Sequence, residues 1–150
     1  MNILFFLTPK SDVTYLYDDE TVERGIIKME DCGYTAVPLI SRQGKYIGTV
    51  TEGDFLRLMT SGQLDTAYCI RKMKMRELAR KSEINAVKVS CRMEDAFEMA
   101  MRQNFVPVVD DDGIFIGIIT RKDILNHMYR FYQKEHSAEP RFVFTAPAYS

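Results

Sequence analysis

Two short stretches carry side chains whose types and spacing suit chemistry: Thr51-Glu52-Gly53-Asp54 and Thr120-Arg121-Lys122-Asp123. In each, a hydroxyl stands three residues before a carboxylate at the head of a helical pattern, which in the first carries Phe55, Leu56 and Met59. That spacing puts Thr at the N-cap and Asp at the third helical position. A carboxylate in a first turn is favoured by the helix dipole and can accept hydrogen bonds from the vicinal hydroxyls of a ribose. The unpaired N–H groups of the same turn can take a phosphate, with the Thr hydroxyl adding a contact. The same residues also make a capping box, which stabilises the helix with no ligand present. The roles are compatible, since one side chain can cap an empty site and bind ribose in a filled one.

These stretches are parts of a longer repetition. Residues 37–59 read VPLISRQGKYIGTVTEGDFLRLM and residues 106–128 read VPVVDDDGIFIGIITRKDILNHM. The landmarks recur at an offset of 69 without a gap, from Pro38 to Pro107, Gly44 to Gly113, Gly48 to Gly117 and Asp54 to Asp123. A fixed internal period sets architecture before any local reading and predicts that a site built by one half has a counterpart in the other.

The elements that position the pair follow from periodicity. Asp12–Tyr17 is β-branched and aromatic and reads as a strand; Thr21 caps a helix to about Cys32, ended by Gly33. Val37–Ile40 and Tyr46–Val50 form a hairpin around Arg42-Gln43-Gly44, and Thr51 starts a last helix. The second half repeats the order with Ala86–Val89, a helix over Met93–Gln103, strands Val106–Val109 and Phe115–Ile119, and a helix from Arg121. The expected fold is therefore α+β, two β-α-β-β-α units over residues 1–62 and 82–133. Residues 63–81, with Leu64, Ala67, Ile70, Met73 and Leu78 at near-helical spacing, read as a helical linker. Residues 134–150 read as a tail in which Phe142, Val143 and Phe144 pair as a strand, cover a partner or fray.

Composition bounds the function. A net charge of −1 gives no whole-protein field to attract nucleic acid or an acidic membrane. Cys32, Cys69 and Cys91 are odd in number and widely spaced, which fits thiols in a reducing cytoplasm. The apolar run Ile3–Leu7 is too short for a signal sequence and no stretch approaches a membrane span, so a cytoplasmic protein is expected. No nucleophile elbow, Walker loop or dinucleotide fingerprint is present, His127 and His136 lack partners at metal spacing, and neither enzyme activity nor a resident metal or cofactor is expected. Asp110-Asp111-Asp112 reads as turn chemistry, because Ser41-Arg42-Gln43 in the other copy carries no carboxylate. The basic run Arg71, Lys72, Lys74, Arg76, Arg80 and Lys81 reads as a solvated helix face.

The doubled pattern h-P-h-h-x-x-x-G-x-x-h-G-h-h-[ST]-x-x-D, each copy after an amphipathic helix, resembles a tandem pair of CBS domains (a Bateman module) of the stand-alone bacterial type, over roughly residues 8–130. The resemblance implies units packed through their sheets about a pseudo-two-fold axis, with two clefts that in the family often hold adenosine-containing ligands. It implies regulatory sensing of AMP, ADP, ATP or cyclic di-AMP, with S-adenosylmethionine or NAD as further candidates. It also implies a homodimer, with Met59 and Met128 as candidate contacts, and an effector protein whose identity the chain does not give. Candidate ligand-binding residues are Thr51, Asp54, Tyr34, Thr35, Ala36 and Val13 in one cleft. Those in the other are Thr120, Arg121, Asp123, Ile118, Asn104, Phe105, Ile84 and Asn85. If the side chains within the motifs face the cleft mouths, Glu52 repels phosphate where Arg121 attracts it, so a nucleotide is expected to prefer the Thr120/Asp123 cleft. The competing expectation is a ligand-independent interaction and dimerisation module, with the tail as docking element.

Overall fold

The structure, a computed structural model, describes residues 2–61, 65–79 and 85–136. Of the residues singled out above, Leu64, Arg80, Lys81, Ile84 and the tail residues Phe142, Val143 and Phe144 lie outside the described residues.

In chain order the elements are a 3-10 turn Ile3–Phe6, β1 Thr8–Pro9, a 3-10 turn Lys10–Asp12, β2 Leu16–Tyr17, α1 Val22–Cys32, β3 Ala36–Ile40, β4 Tyr46–Thr51 and α2 Glu52–Thr60. The helices α3 Thr66–Lys72 and α4 Met75–Ala79 follow, then β5 Val87–Lys88, α5 Met93–Arg102, β6 Phe105–Val109, β7 Phe115–Thr120 and α6 Arg121–Glu135. Thr21 Oγ1 accepts from Arg24 N at 3.2 Å to open α1, and Gly33 closes it at φ 70°, where a side chain would be strained. Each apolar hairpin (β3–β4 and β6–β7) is antiparallel, and each takes a short parallel strand at its side, β2 on β3 and β5 on β6. The fold is α+β, two β-α-β-β-α units as the period requires.

Two strands are shorter than the sequence pattern predicts: β5 covers only Val87–Lys88 of Ala86–Val89, and β2 is shortened more. Only Leu16–Tyr17 of the run Asp12–Tyr17 pairs as strand. Val13 N donates to Lys10 O at 3.1 Å, closing a turn, and the Val13 side chain drops into the core between the sheets. Apolar burial without a ladder partner explains its β-like character.

The segments preceding each unit are exchanged. Ile3 and Phe6 are buried in the second unit's core with Val106, Ile119 and Ile124, and β1 adds antiparallel to the edge of β7. Conversely α4 contributes Met75 and Leu78 to the first unit's core with Leu16, Val37 and Val50. Neither core is complete without chain that lies ahead of the other unit.

The units meet about a pseudo-two-fold axis at the hairpin tips. Tyr46 N donates to Gly113 O at 3.0 Å and Phe115 N to Gly44 O at 2.9 Å, around a bridge between Lys45 and Ile114. The Tyr46 and Phe115 rings stack with centroids 6.3 Å apart. Positions 44, 45 and 46 are the repeat equivalents of 113, 114 and 115, and mutual contact between equivalent positions is the signature of a two-fold operator. Behind the tips, Ala36, Ile40, Phe105, Phe115 and Ile118 share one core.

This interface has a pH consequence. Tyr46 is largely buried beside Thr49, 2.7 Å from hydroxyl to hydroxyl, and burial pushes its phenol up to about 12. The folded state then holds a proton that the unfolded chain loses near 10, so its stabilisation is complete below pH 10 and is lost as pH rises towards 12. Urea midpoints measured from pH 9 to 12 are expected to fall more steeply in the wild type than in Tyr46→Phe, by roughly 2 kcal/mol at the alkaline end. Parallel curves would remove Tyr46 as the cause.

Candidate functional site

Both capping boxes form. Asp54 N donates to Thr51 Oγ1 at 3.3 Å while Thr51 N donates to Asp54 Oδ2 at 2.8 Å. Asp123 N donates to Thr120 Oγ1 at 3.0 Å and Thr120 N to Asp123 Oδ2 at 3.2 Å. The strand geometry makes this possible, because β4 and β7 run straight into α2 and α6 and leave each Thr extended at the junction. The result is two helix N-termini, each with a carboxylate in its first turn.

The carboxylates differ in what holds them. Asp54 is 5 % exposed, and its Oδ1 accepts a hydrogen bond and ion pair from Arg57, one helical turn on. The equivalent position in the second unit is Asn126. Asp123 instead receives Thr8 Oγ1 on Oδ2 at 2.8 Å, and among the described residues nothing engages its Oδ1. Thr8 reaches it because β1 lies along β7, with Thr8 opposite Ile118 and Pro9 opposite Gly117. A Cβ on Gly117 would collide with the Thr8 carbonyl oxygen, so this approach requires glycine.

Around these termini the other expected residues take three kinds of place. Thr35 O accepts from Glu52 N at 2.9 Å, tying the stretch Tyr34-Thr35-Ala36 to the head of α2, and Ala36 pairs with Thr51. Phe105 pairs with Thr120 in the same way. Across the axis, Asn104 Nδ2 donates to Thr35 Oγ1 at 3.3 Å, joining two more equivalent positions. Val13, Ala36, Phe105 and Ile118 are buried together in the inter-sheet core. Asn85 is exposed and bound through its main chain to the Gln103 side chain, at 3.3 Å and 3.2 Å.

Arg121 faces a different task from the one its sequence position implied. Its Nε donates to Ala100 O at 2.6 Å and its Nη2 to Met101 O at 3.4 Å, at the C-terminal end of α5. The guanidinium satisfies helix-end carbonyls there, a favourable place for a cation. Among the described residues no hydrogen bond or ion pair joins it to Asp123. The difference between the sites therefore lies in Arg57 and Thr8, two residues the sequence reading passed over. Arg57 was legible as an i, i+3 partner of Asp54. For Thr8 the only signal was the Thr-Pro dipeptide, which reads as extended chain.

Asp110 Oδ1 accepts from Asp112 N and Ile114 N, both at 2.9 Å, which is turn chemistry as expected. Among the described residues no group of three His, Cys, Asp or Glu side chains is placed to hold a metal, and no helix is long and apolar enough to cross a membrane.

Comparison with known proteins places this geometry. A family profile described as CBS domain matches residues 6–61 and again residues 75–130. Among curated relatives, inosine-5'-monophosphate dehydrogenase of Methanocaldococcus jannaschii is 29 % identical over 116 residues, covering 76 % of this chain and 21 % of the relative. The chain thus spans about a fifth of that enzyme's length. Among solved structures, CbpB in complex with c-di-AMP superposes with a TM-score of 0.85 at 23 % identity, covering 93 % of this chain and 91 % of the other. CBSX2 in complex with AMP gives 0.71 at 23 % identity, over 87 % and 98 % of the two chains. With two profile matches spanning most of its length and the exchanged, pseudo-two-fold architecture described above, the chain belongs to the CBS-domain family as a tandem pair.

Proposed function

We propose that the protein is a regulatory module that binds an adenosine-containing nucleotide, AMP, ADP, ATP or cyclic di-AMP, and relays its occupancy to an effector protein. The observation that carries this reading is the Asp123 carboxylate, poised in the first turn of α6 with one oxygen that no described residue engages. A ribose diol donates to that oxygen, and the N–H groups heading α6 suit a phosphate. The likeness to CbpB with c-di-AMP and to CBSX2 with AMP supports the ligand class. The module acts by binding, with no chemical step assigned to it and no resident cofactor. It works in the cytoplasm as a homodimer through the helix faces that carry Met59 and Met128, which are 44 % and 59 % exposed. A ligand shifts the arrangement of the two units only by its differential affinity for their states.

A second reading has its own observation. Both capping boxes are complete without ligand, as an interaction module that never binds a nucleotide would require. A thermal-shift panel of AMP, ADP, ATP, cyclic di-AMP, S-adenosylmethionine and NAD separates the two. A ligand at 100 times its dissociation constant adds about 2.7 kcal/mol, several degrees in melting temperature. A shift with one compound supports sensing, and no shift with any of the six supports the interaction module.

A further inference from the structure

Each unit exposes an apolar groove on its helical face, and the two grooves carry opposite charge. The first, about 390 Å³, lies between α1 and α2 and is lined by Ile26, Phe55, Leu56 and Met59, with Glu30 and Glu52 among its walls. The second, about 450 Å³, lies between α5, α6 and the N-terminal 3-10 turn and is lined by Phe6, Phe97, Met128 and Phe131, with Arg130 and Lys134 among its walls. All four charged residues are exposed, and among the described residues none of them makes an ion pair. The local network that neutralises Asp54 through Arg57 has no counterpart here.

We infer that these grooves are each other's partners: the homodimer is crosswise, with the α1–α2 groove of one protomer seated on the α5–α6 groove of its partner. The inference rests on the homodimer proposed above and adds its orientation. Met59 and Met128 are repeat equivalents, as are Leu56 and Leu125, and all four are exposed. The apolar part of the contact is therefore much the same whether like meets like or the units cross, and charge decides. A like-on-like dimer sets Glu30 and Glu52 near their own images and Arg130 and Lys134 near theirs. A crosswise dimer gives each carboxylate a cation, and two such contacts close about one two-fold axis.

The test is sedimentation velocity on the full chain over a concentration series, with melting curves to establish folding. Reversing the acidic groove (Glu30→Lys with Glu52→Lys) or the basic one (Arg130→Glu with Lys134→Glu) is expected to raise the dimer dissociation constant roughly 10- to 100-fold. The chain carrying all four substitutions is expected to return to within about threefold of the wild type, since both grooves are then reversed together. That recovery separates lost complementarity from damaged folding. A dimer unmoved by either reversal, or one weakened by both and not recovered in the combined chain, overturns the crosswise orientation and leaves the homodimer standing. A wild-type chain that stays monomeric at every concentration overturns the homodimer itself.

Discussion

Replacing Asp123 with alanine is expected to weaken nucleotide binding about 100-fold, while Asp54→Ala changes it by less than about threefold. Each hydrogen bond from a ribose hydroxyl to a carboxylate is worth about 1.5–3 kcal/mol, so losing the acceptor of a diol removes two orders of magnitude or more. The inequality follows from what already occupies each carboxylate. Asp54 holds Arg57 on Oδ1 and its own cap on Oδ2, so a ribose must compete with a charge-assisted bond made by a buried group. Among the described residues nothing engages Asp123 Oδ1, and the Thr8 hydroxyl held on Oδ2 is a neutral donor that water or the ligand replaces at little cost. The nucleotide is therefore expected to prefer the Thr120/Asp123 cleft because of these carboxylate partners, since the Arg121 guanidinium is bound to the end of α5. Isothermal titration with the nucleotide that shifts the melting curve measures both constants. Because each substitution also removes a cap worth about 1 kcal/mol, Asp123→Asn serves as the control that keeps shape and loses charge. Equal losses at the two positions would end the asymmetric reading.

The hairpins, the caps and the second copy of each were legible because their signals are local. An apolar run, a turn glycine and Thr three residues before Asp lie within about fifteen residues of one another, and repetition doubled every one of them. The exchange of leading segments was not legible. A two-residue strand such as β1 has no periodicity to detect, and its partner β7 lies more than a hundred residues away. The same distance hid the hydrogen bond from Thr8 to Asp123, whereas Arg57 was one helical turn from the residue it pairs with. The direction of Arg121 depends on where α5 ends relative to α6, a tertiary fact that no spacing within the motif encodes. Val13 shows the reverse error. A β-branched residue in a β-like run was assigned to a ladder, and it serves instead as buried filler between the sheets.

Gly117→Ala is expected to destabilise the protein by about 2–3 kcal/mol, and to do so through the N-terminal segment. The added methyl group meets the Thr8 carbonyl oxygen, which is backbone and cannot rotate away, and lies 2.9 Å from Leu7 Cδ1. At φ 156° the position is also one that side chains rarely adopt. Gly113→Ala is the matched control. It too sits at positive φ, 82°, but with nothing within 4 Å, so it carries only the conformational penalty of about 1 kcal/mol. Relief at Gly117 requires β1 to move off the edge of β7. That movement breaks the bond from Thr8 to Asp123 and draws Ile3 and Phe6 out of the second core. Hydrogen exchange is therefore expected to quicken first at the main-chain amides of residues 116–120, while the first unit's β3 and β4 keep their protection. A urea midpoint equal to that of Gly113→Ala would show that β1 gives way freely, and Thr8 would then be no structural partner of the site. A larger loss with exchange confined to the second unit would establish that the chain ahead of one repeat holds the Asp123 carboxylate of the other.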